Sequence, residues 1–172
     1  MATSYELISQ TTLSSASSTV DLSSISDKYR DLIIYISARH AGSSQQETMR
    51  LQQINGSSAN LINRWMRANG EGGTNLVSTD NSDGIYLSQI PGALSNSGIF
   101  SNVCVTIPTY TDTNYGKAIF VEAVQENEQT SAFHSLTAGR WNNNSAITSL
   151  RFYAPSNFVI GSTFTLFGVT RS

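Results

Sequence analysis

Apolar and polar residues alternate along this chain in short runs closed by Asn, Ser, Pro or Gly, with a period of two rather than 3.6. The clearest run, Tyr29–Ala38, sets Leu32, Ile34 and Ile36 on one side and Ile33 and Tyr35 on the other. Apolar residues on both sides predict a central strand covered on each face. Phe100–Ile107 places Val103, Val105 and Ile107 opposite Asn102, Cys104 and Thr106. Further strands are predicted at Tyr5–Ile8 (with Thr11–Leu13 as an extension), Val20–Leu22, Met49–Ile54, Leu61–Ala68 and Ile85–Ile90. Lys117–Val124, Ala132–Ala138, Ala146–Tyr153 and Thr163–Val169 complete the set. Asn55-Gly56 marks a tight turn, and Leu61–Ala68 reads as the return strand of that hairpin. Helix competes with strand at Glu47–Arg50 and Leu61–Arg67, but no helical period is sustained over a full helix length. Asn69–Asp83, rich in Gly, Asn, Ser and Asp, reads as a long irregular loop. The pattern predicts an all-β fold: one domain over 1–172, an antiparallel β-sandwich, jelly-roll-like, of about ten strands. The first and last strands are expected to pair, and Met1–Ser4 is expected to form an N-terminal arm.

Composition narrows this further. Ser, Thr and Asn fill 58 of the 172 positions, while charged residues make up only 13%. Such polarity could signal disorder, but disorder goes with few aromatics and a high net charge. Here the net charge is −2, and seven Tyr, seven Phe and two Trp lie in or beside the β-type runs. The polar excess therefore coats a folded β protein. Eight Arg and two Lys are scattered rather than clustered and the pI is near 5.6, which argues against nucleic acid as a partner. No apolar run is long enough to span a bilayer as a helix. The start, Met1–Ile8, has neither the basic nor the apolar region of a signal peptide. One cysteine excludes an internal disulfide framework. A reducing cytosol is the expected place of synthesis.

No catalytic constellation stands out. The two histidines, His40 and His134, read as surface or rim residues, and Cys104, between two valines, reads as a small apolar filler. The chain has no nucleophile elbow, phosphate loop, dinucleotide fingerprint or metal-ligand spacing. Glu122, Glu126 and Glu128 are close in sequence, which does not place two carboxylates across a cleft as glycoside hydrolysis requires. Asp80–Gly84 offers oxygen ligands suited to Ca²⁺ but lacks the EF-hand spacing, so a plain polar turn is the better reading. Trp65 and Trp141 could stack on sugars, Trp141 preceding three Asn. The competing reading is that each closes an end of the sandwich or a subunit contact. No catalytic, cofactor-binding or metal-binding residue is assigned, no cofactor is expected, and the protein reads as a structural or binding protein rather than an enzyme.

Several short segments resemble a family of small virion proteins of tailed bacteriophages, of the marine and cyanobacterial type. They are Tyr5–Ile8, Thr11–Val20, Ser24–Leu32, Leu51–Ser58, Ile107–Tyr110, Gly139–Trp141, Ala146–Leu150 and the closing Phe167–Val169. Ser26 stands where the family pattern has a proline, and residues 69–98 match least. The resemblance implies a jelly-roll-like sandwich without enzymatic residues. It also implies a place in the virion after synthesis in the host cytoplasm. Within the particle the expected role is a capsid decoration or cement protein bound to the major capsid protein, a homo-oligomer, with a trimer expected from lattice symmetry. The alternative is a tail-fibre or receptor-binding module recognising host surface polysaccharide, with a glycan as partner.

Overall fold

The computed structural model describes residues 3–69, 76–80, 84–127 and 132–171. Twelve strands run in chain order: β1 (Thr3–Thr12), β2 (Ser17–Leu22), β3 (Asp31–Ala38), β4 (Gln46–Ile54), β5 (Leu61–Asn69), β6 (Leu76–Asp80), β7 (Ile85–Pro91), β8 (Ser101–Ile107), β9 (Lys117–Gln125), β10 (Phe133–Trp141), β11 (Leu150–Phe158) and β12 (Thr163–Arg171). No helix occurs among the described residues. They form an eight-stranded sheet, β1-β12-β3-β8-β9-β10-β5-β6, and a four-stranded sheet, β2-β11-β4-β7, with every pairing antiparallel. Without β5-β6 and β9-β10, the order is β1-β12-β3-β8 facing β2-β11-β4-β7, the arrangement of an eight-stranded jelly roll. The two inserted hairpins pair with each other through β10 and β5 and so double the width of one sheet.

The strands form where period-two alternation is cleanest. In β9 alternate residues from Lys117 to Gln125 are buried and those between them exposed. The core lies between the sheets: Leu32, Ile34, Val105, Val121, Phe164 and Leu166 from the large sheet meet Leu22, Leu51, Phe152 and Phe158 from the small one. Phe164 packs edge-on against Phe158 at 5.2 Å and tilted against Phe152 at 5.4 Å. The Tyr29 ring covers Gly168 so closely that a Cβ there would lie 2.2 Å from it. Gly168 is fixed by that approach rather than by its own dihedrals.

The expected pairing of the first and last strands is present, in register from Thr3↔Arg171 to Thr12↔Thr163 with one bulge. Because β1 starts at Thr3, and the Ser4 hydroxyl bonds that of Thr170 at 2.5 Å, Thr3 and Ser4 belong to a sheet and not to a free arm. Both segments where helix competed are strands. Within the predicted loop 69–83, Leu76–Asp80 forms β6 against β5. The strand expected from Ala146 begins at Leu150 and runs on through Pro155 to Phe158, because residues 146–149 bond Asn55 instead.

The Asn55-Gly56 turn exists, with φ of 52° and 76° and a closed pair of hydrogen bonds between Ile54 and Ser57. The hairpin does not. β4 stays in the small sheet, while the chain crosses to the large sheet, where β5 pairs with β10 and β6. The expectation for Tyr29–Ala38 is corrected too. β3 is central in hydrogen bonding, but its outer face is uncovered, leaving Tyr35 51% exposed.

Candidate functional site

The residues singled out in the sequence do not converge. His40 is fully buried rather than at a rim. Its Nδ1 accepts from the Gly42 N–H at 3.0 Å, which puts the ring proton on Nε2, a buried atom with no partner. Glu47 Oε2 lies 3.7 Å from Nδ1, and Ser156 donates its hydroxyl and its N–H to the same carboxylate at 2.8 and 2.7 Å. The serine proton thus points at a carboxylate rather than a histidine nitrogen, so the trio does not have the geometry of an activated nucleophile. It closes a corner. Burial foremost, with Arg39 adding and Glu47 opposing, lowers the His40 pKa. Arg39 fixes the adjoining segment: its guanidinium donates to the carbonyls of Asn96 at 2.7 Å, Ser95 at 2.9 Å, Ile99 at 3.3 Å and Gly92.

His134 is exposed, as expected, and faces Glu122 at 3.4 Å, an exposed pair worth little in stability. Glu126 lies just past the same strand as Glu122, and its Oε1 accepts from the Asn127 N–H, so the two carboxylates do not oppose each other across a cleft. Glu128 and residues 81–83 of the Asp80–Gly84 segment lie outside the described residues. Among the described residues no three His, Cys, Asp or Glu side chains are grouped to hold a metal. Cys104 is half-buried on the outer face of the large sheet. Burial first, and Glu122 in addition, push its thiol pKa up, so it is not an activated nucleophile.

The tryptophans are both engaged. Trp141 is 2% exposed, with Lys117 Nζ 5.9 Å from its ring centre. Trp65 is half-buried, stacked on Tyr86 at 4.6 Å and flanked by the Arg67 guanidinium at 5.9 Å. Lys117 is itself buried and donates to the Tyr115 carbonyl at 2.9 Å. The buried cations of this molecule tie loops down.

What does converge is a surface. Of the ten large hydrophobic side chains exposed among the described residues, seven sit on the outer face of the eight-stranded sheet: Tyr5, Leu7, Tyr35, Ile62, Met66, Phe120 and Val124. Register aligns Leu7, Phe167, Ile33, Thr106, Phe120 and Ala138 in one row across six strands. At sheet spacing that row is about 24 Å long. Tyr35 meets Phe167 edge-on at 6.0 Å, so the aromatic part of the face is already ordered. A groove of about 360 Å³ crosses it between Tyr35, Cys104, Glu122, Val124 and Thr165. Glu122, His134, Arg64 and Arg140 share the face with these apolar side chains, toward β9, β10 and β5. The outer face of the four-stranded sheet is the opposite in character, carrying Thr19, Asp21, Arg50, Gln53 and Arg151.

Sequence reasoning named Tyr35 and Ile33 but read them as covered. The signal that could have exposed the face was the shared outward parity of Leu7, Ile33, Tyr35 and Phe120, which becomes visible only once those strands are known to be neighbours. No protein-family model matches the chain, and no curated protein matches it.

Proposed function

We propose that the protein is a structural protein of a tailed-phage virion: a decoration or cement protein bound to the outside of the assembled shell. In this reading it buries the outer face of the eight-stranded sheet against the major capsid protein. The observation that carries the reading is the concentration of exposed hydrophobic side chains on that one face. Exposed apolar side chains gathered on one face of a folded protein mark protein contacts. A broad, open sheet face suits docking better than it suits turnover, and no opposed acid, base and nucleophile accompany it among the described residues. The segments quoted above for their resemblance to small virion proteins support the same reading. A trimer fits local three-fold positions of an icosahedral lattice, where several modest contacts act together. Selective binding to the expanded shell would stabilise that state by mass action. The engaged tryptophans weaken the rival reading of a tail-fibre module that stacks sugars on Trp65 and Trp141.

Co-sedimentation with expanded, undecorated shells tests this. Phe120→Glu and Leu7→Glu change exposed residues and are expected to leave the melting temperature within a few degrees of the parent. Each is expected to weaken shell binding by about tenfold or more, the loss of roughly 1.4 kcal/mol of contact. Undiminished binding by both variants, or particle density for this chain confined to the tail, would overturn the proposal.

A further inference from the structure

Two of the three asparagines after Trp141 wall a groove of about 590 Å³ on the outer side of the eight-stranded sheet, where β9 begins and β10 ends. That lies within the roughly 300–1,000 Å³ of small-molecule sites. Asn114 and Tyr115 form one wall, and Arg140, Asn142 and Asn144 form the other. From these residues we infer that the groove binds a segment of oligosaccharide that includes a carboxylate-bearing sugar.

Three observations point there. The first is the surface offered to a sugar ring. Tyr115 is 72% exposed, more than any other large hydrophobic side chain among the described residues. Its ring packs against no other described aromatic ring. Beside it the floor is Ala118 and Ala138 with the backbone of Gly116 and Gly139, so a ligand lying on Tyr115 can approach the sheet closely. A phenol gives the C–H side of a sugar an apolar face to pack on and keeps a hydroxyl at its tip.

The second is the polar set. The side chains of Asn114 and Asn144 take no hydrogen-bond partner among the described residues. Their amides both donate and accept, as vicinal sugar hydroxyls do. Asn142 is oriented by Arg140, whose Nη2 donates to its Oδ1 at 2.7 Å, which turns its amide NH₂ to the ligand. Arg140 is the only charged side chain lining the groove, and no carboxylate pairs with it among the described residues. Such a guanidinium takes a carboxylate in a charge-assisted contact, which favours an acidic sugar over a neutral one.

The third is that both walls are fixed before a ligand arrives. Lys117, 1% exposed, lies beneath them and donates to the carbonyls of Tyr115 at 2.9 Å and Asn143 at 3.4 Å, so one ammonium joins the two walls. Gly116 lets them meet, since a Cβ there would lie 2.8 Å from the Trp141 carbonyl oxygen. The Asn142 N–H donates to the Asn60 carbonyl at 2.8 Å, and Asp112 Oδ1 accepts from the Asn114 N–H at 2.7 Å. A preformed groove loses little freedom on binding. Trp141 itself is buried, and the aromatic across the groove from the asparagines is Tyr115.

The inference does not rest on the decoration reading. If both hold, the row from Leu7 to Phe120 meets the shell and the groove stays open beyond it.

The test titrates the ¹⁵N-labelled full chain with hexagalacturonate, hexamannuronate and a sialic acid tetramer, following backbone amide shifts, with maltohexaose as the neutral reference. The expected result is saturable movement of the amides of Gly116, Ala118 and residues 139–144 with at least one acidic oligomer. Its Kd is expected to be tighter than about 1 mM and about tenfold tighter than that of maltohexaose. Tyr115→Ala is expected to weaken the binding about tenfold with an unchanged melting temperature, and Arg140→Gln to remove the advantage over maltohexaose. No saturable shift with any acidic oligomer, or shifts centred elsewhere, would overturn the inference. So would equal affinity of the parent for maltohexaose, full binding by Tyr115→Ala, or an acid preference that persists in Arg140→Gln. Shell co-sedimentation of Tyr115→Ala is expected to be undiminished; a loss would make the groove part of the shell contact and overturn the inference while leaving the capsid reading in place.

Discussion

His40 shows how much one residue's environment depends on distant chain. In sequence it follows an apolar strand and looks like a turn residue; in the fold it is sealed by Gly92, Ser156 and Glu47. Its ring nitrogen Nε2 is buried without a partner, so protonating the ring inside the protein is costly. The consequence for pH is directional. With the folded pKa below the ordinary histidine value of about 6.5, the unfolded chain takes up the proton first as pH falls. Stability from this residue is intact above about pH 6.5 and is lost as the pH drops through the lowered folded value. Urea unfolding of the parent between pH 7.5 and 5.5 is expected to show this decline, and His40→Gln is expected to flatten it across that window. An equal slope in the variant would assign the decline to carboxylates instead. Cys104, by contrast, was legible locally, because alternation in Phe100–Ile107 already set it opposite the core-facing valines. Trp141 lay beyond the predicted strand Ala132–Ala138, and its burial follows from the longer β10.

The Asn55-Gly56 turn belongs to the scale of elements. The dipeptide correctly signalled positive φ, but the side chain does more than the backbone. Asn55 Oδ1 accepts from the N–H groups of Thr148 and Ser149 at 2.8 and 3.1 Å, and Nδ2 donates to the Ala146 carbonyl at 2.7 Å. These bonds hold residues 146–149 out of the sheet and set where β11 begins. Asn55→Gly keeps the dihedral and removes the bonds. It is therefore expected to cost about 2–4 kcal/mol in chemical denaturation, where a purely conformational role predicts almost no change. The same element shows why the hairpin reading failed. A two-residue turn fixes the reversal of the chain for one residue pair, but β5 finds more to bury against β10. There Leu61 lies opposite the buried Trp141, and Asn63 bonds the backbone of Gly84 and Tyr86. Extending the turn into a hairpin would have left those inner-face residues without a sheet beneath them. β6 was hidden for a related reason: a five-residue strand flanked by Gly, Asn and Ser has too short an alternation to be read alone.

For the whole molecule, the inserted hairpins β5-β6 and β9-β10 broaden one sheet to eight strands while the other keeps four. The extension leans over β7, with Ile85 packed against Gly139 and Tyr86 stacked on Trp65. β1 and β6 remain as edges, and β3, β8 and β12 lie inside over the jelly-roll core. Hydrogen exchange of the intact chain is expected to be slowest at β3, β8 and β12 and at least about a hundredfold faster at β6, whose amides have a partner strand on one side only. Equal protection of β6 and β3 would mean that the extension unfolds only with the core. At this scale the division between sequence and tertiary structure is clear. By itself the sequence determined the all-β class, nearly every strand, and which residues within each strand share a face, because the pleat is a local property with a fixed period of two. The pairing of the two ends was expected only by analogy with jelly rolls, and the structure supplies it. Only the tertiary structure decided which strands share a sheet, that the chain crosses over after Asn55-Gly56, and that one outer face gathers uncovered apolar side chains while the other is polar. Those outcomes depend on which distant strands lie side by side and on whether a second layer covers them, and no local pattern contains either.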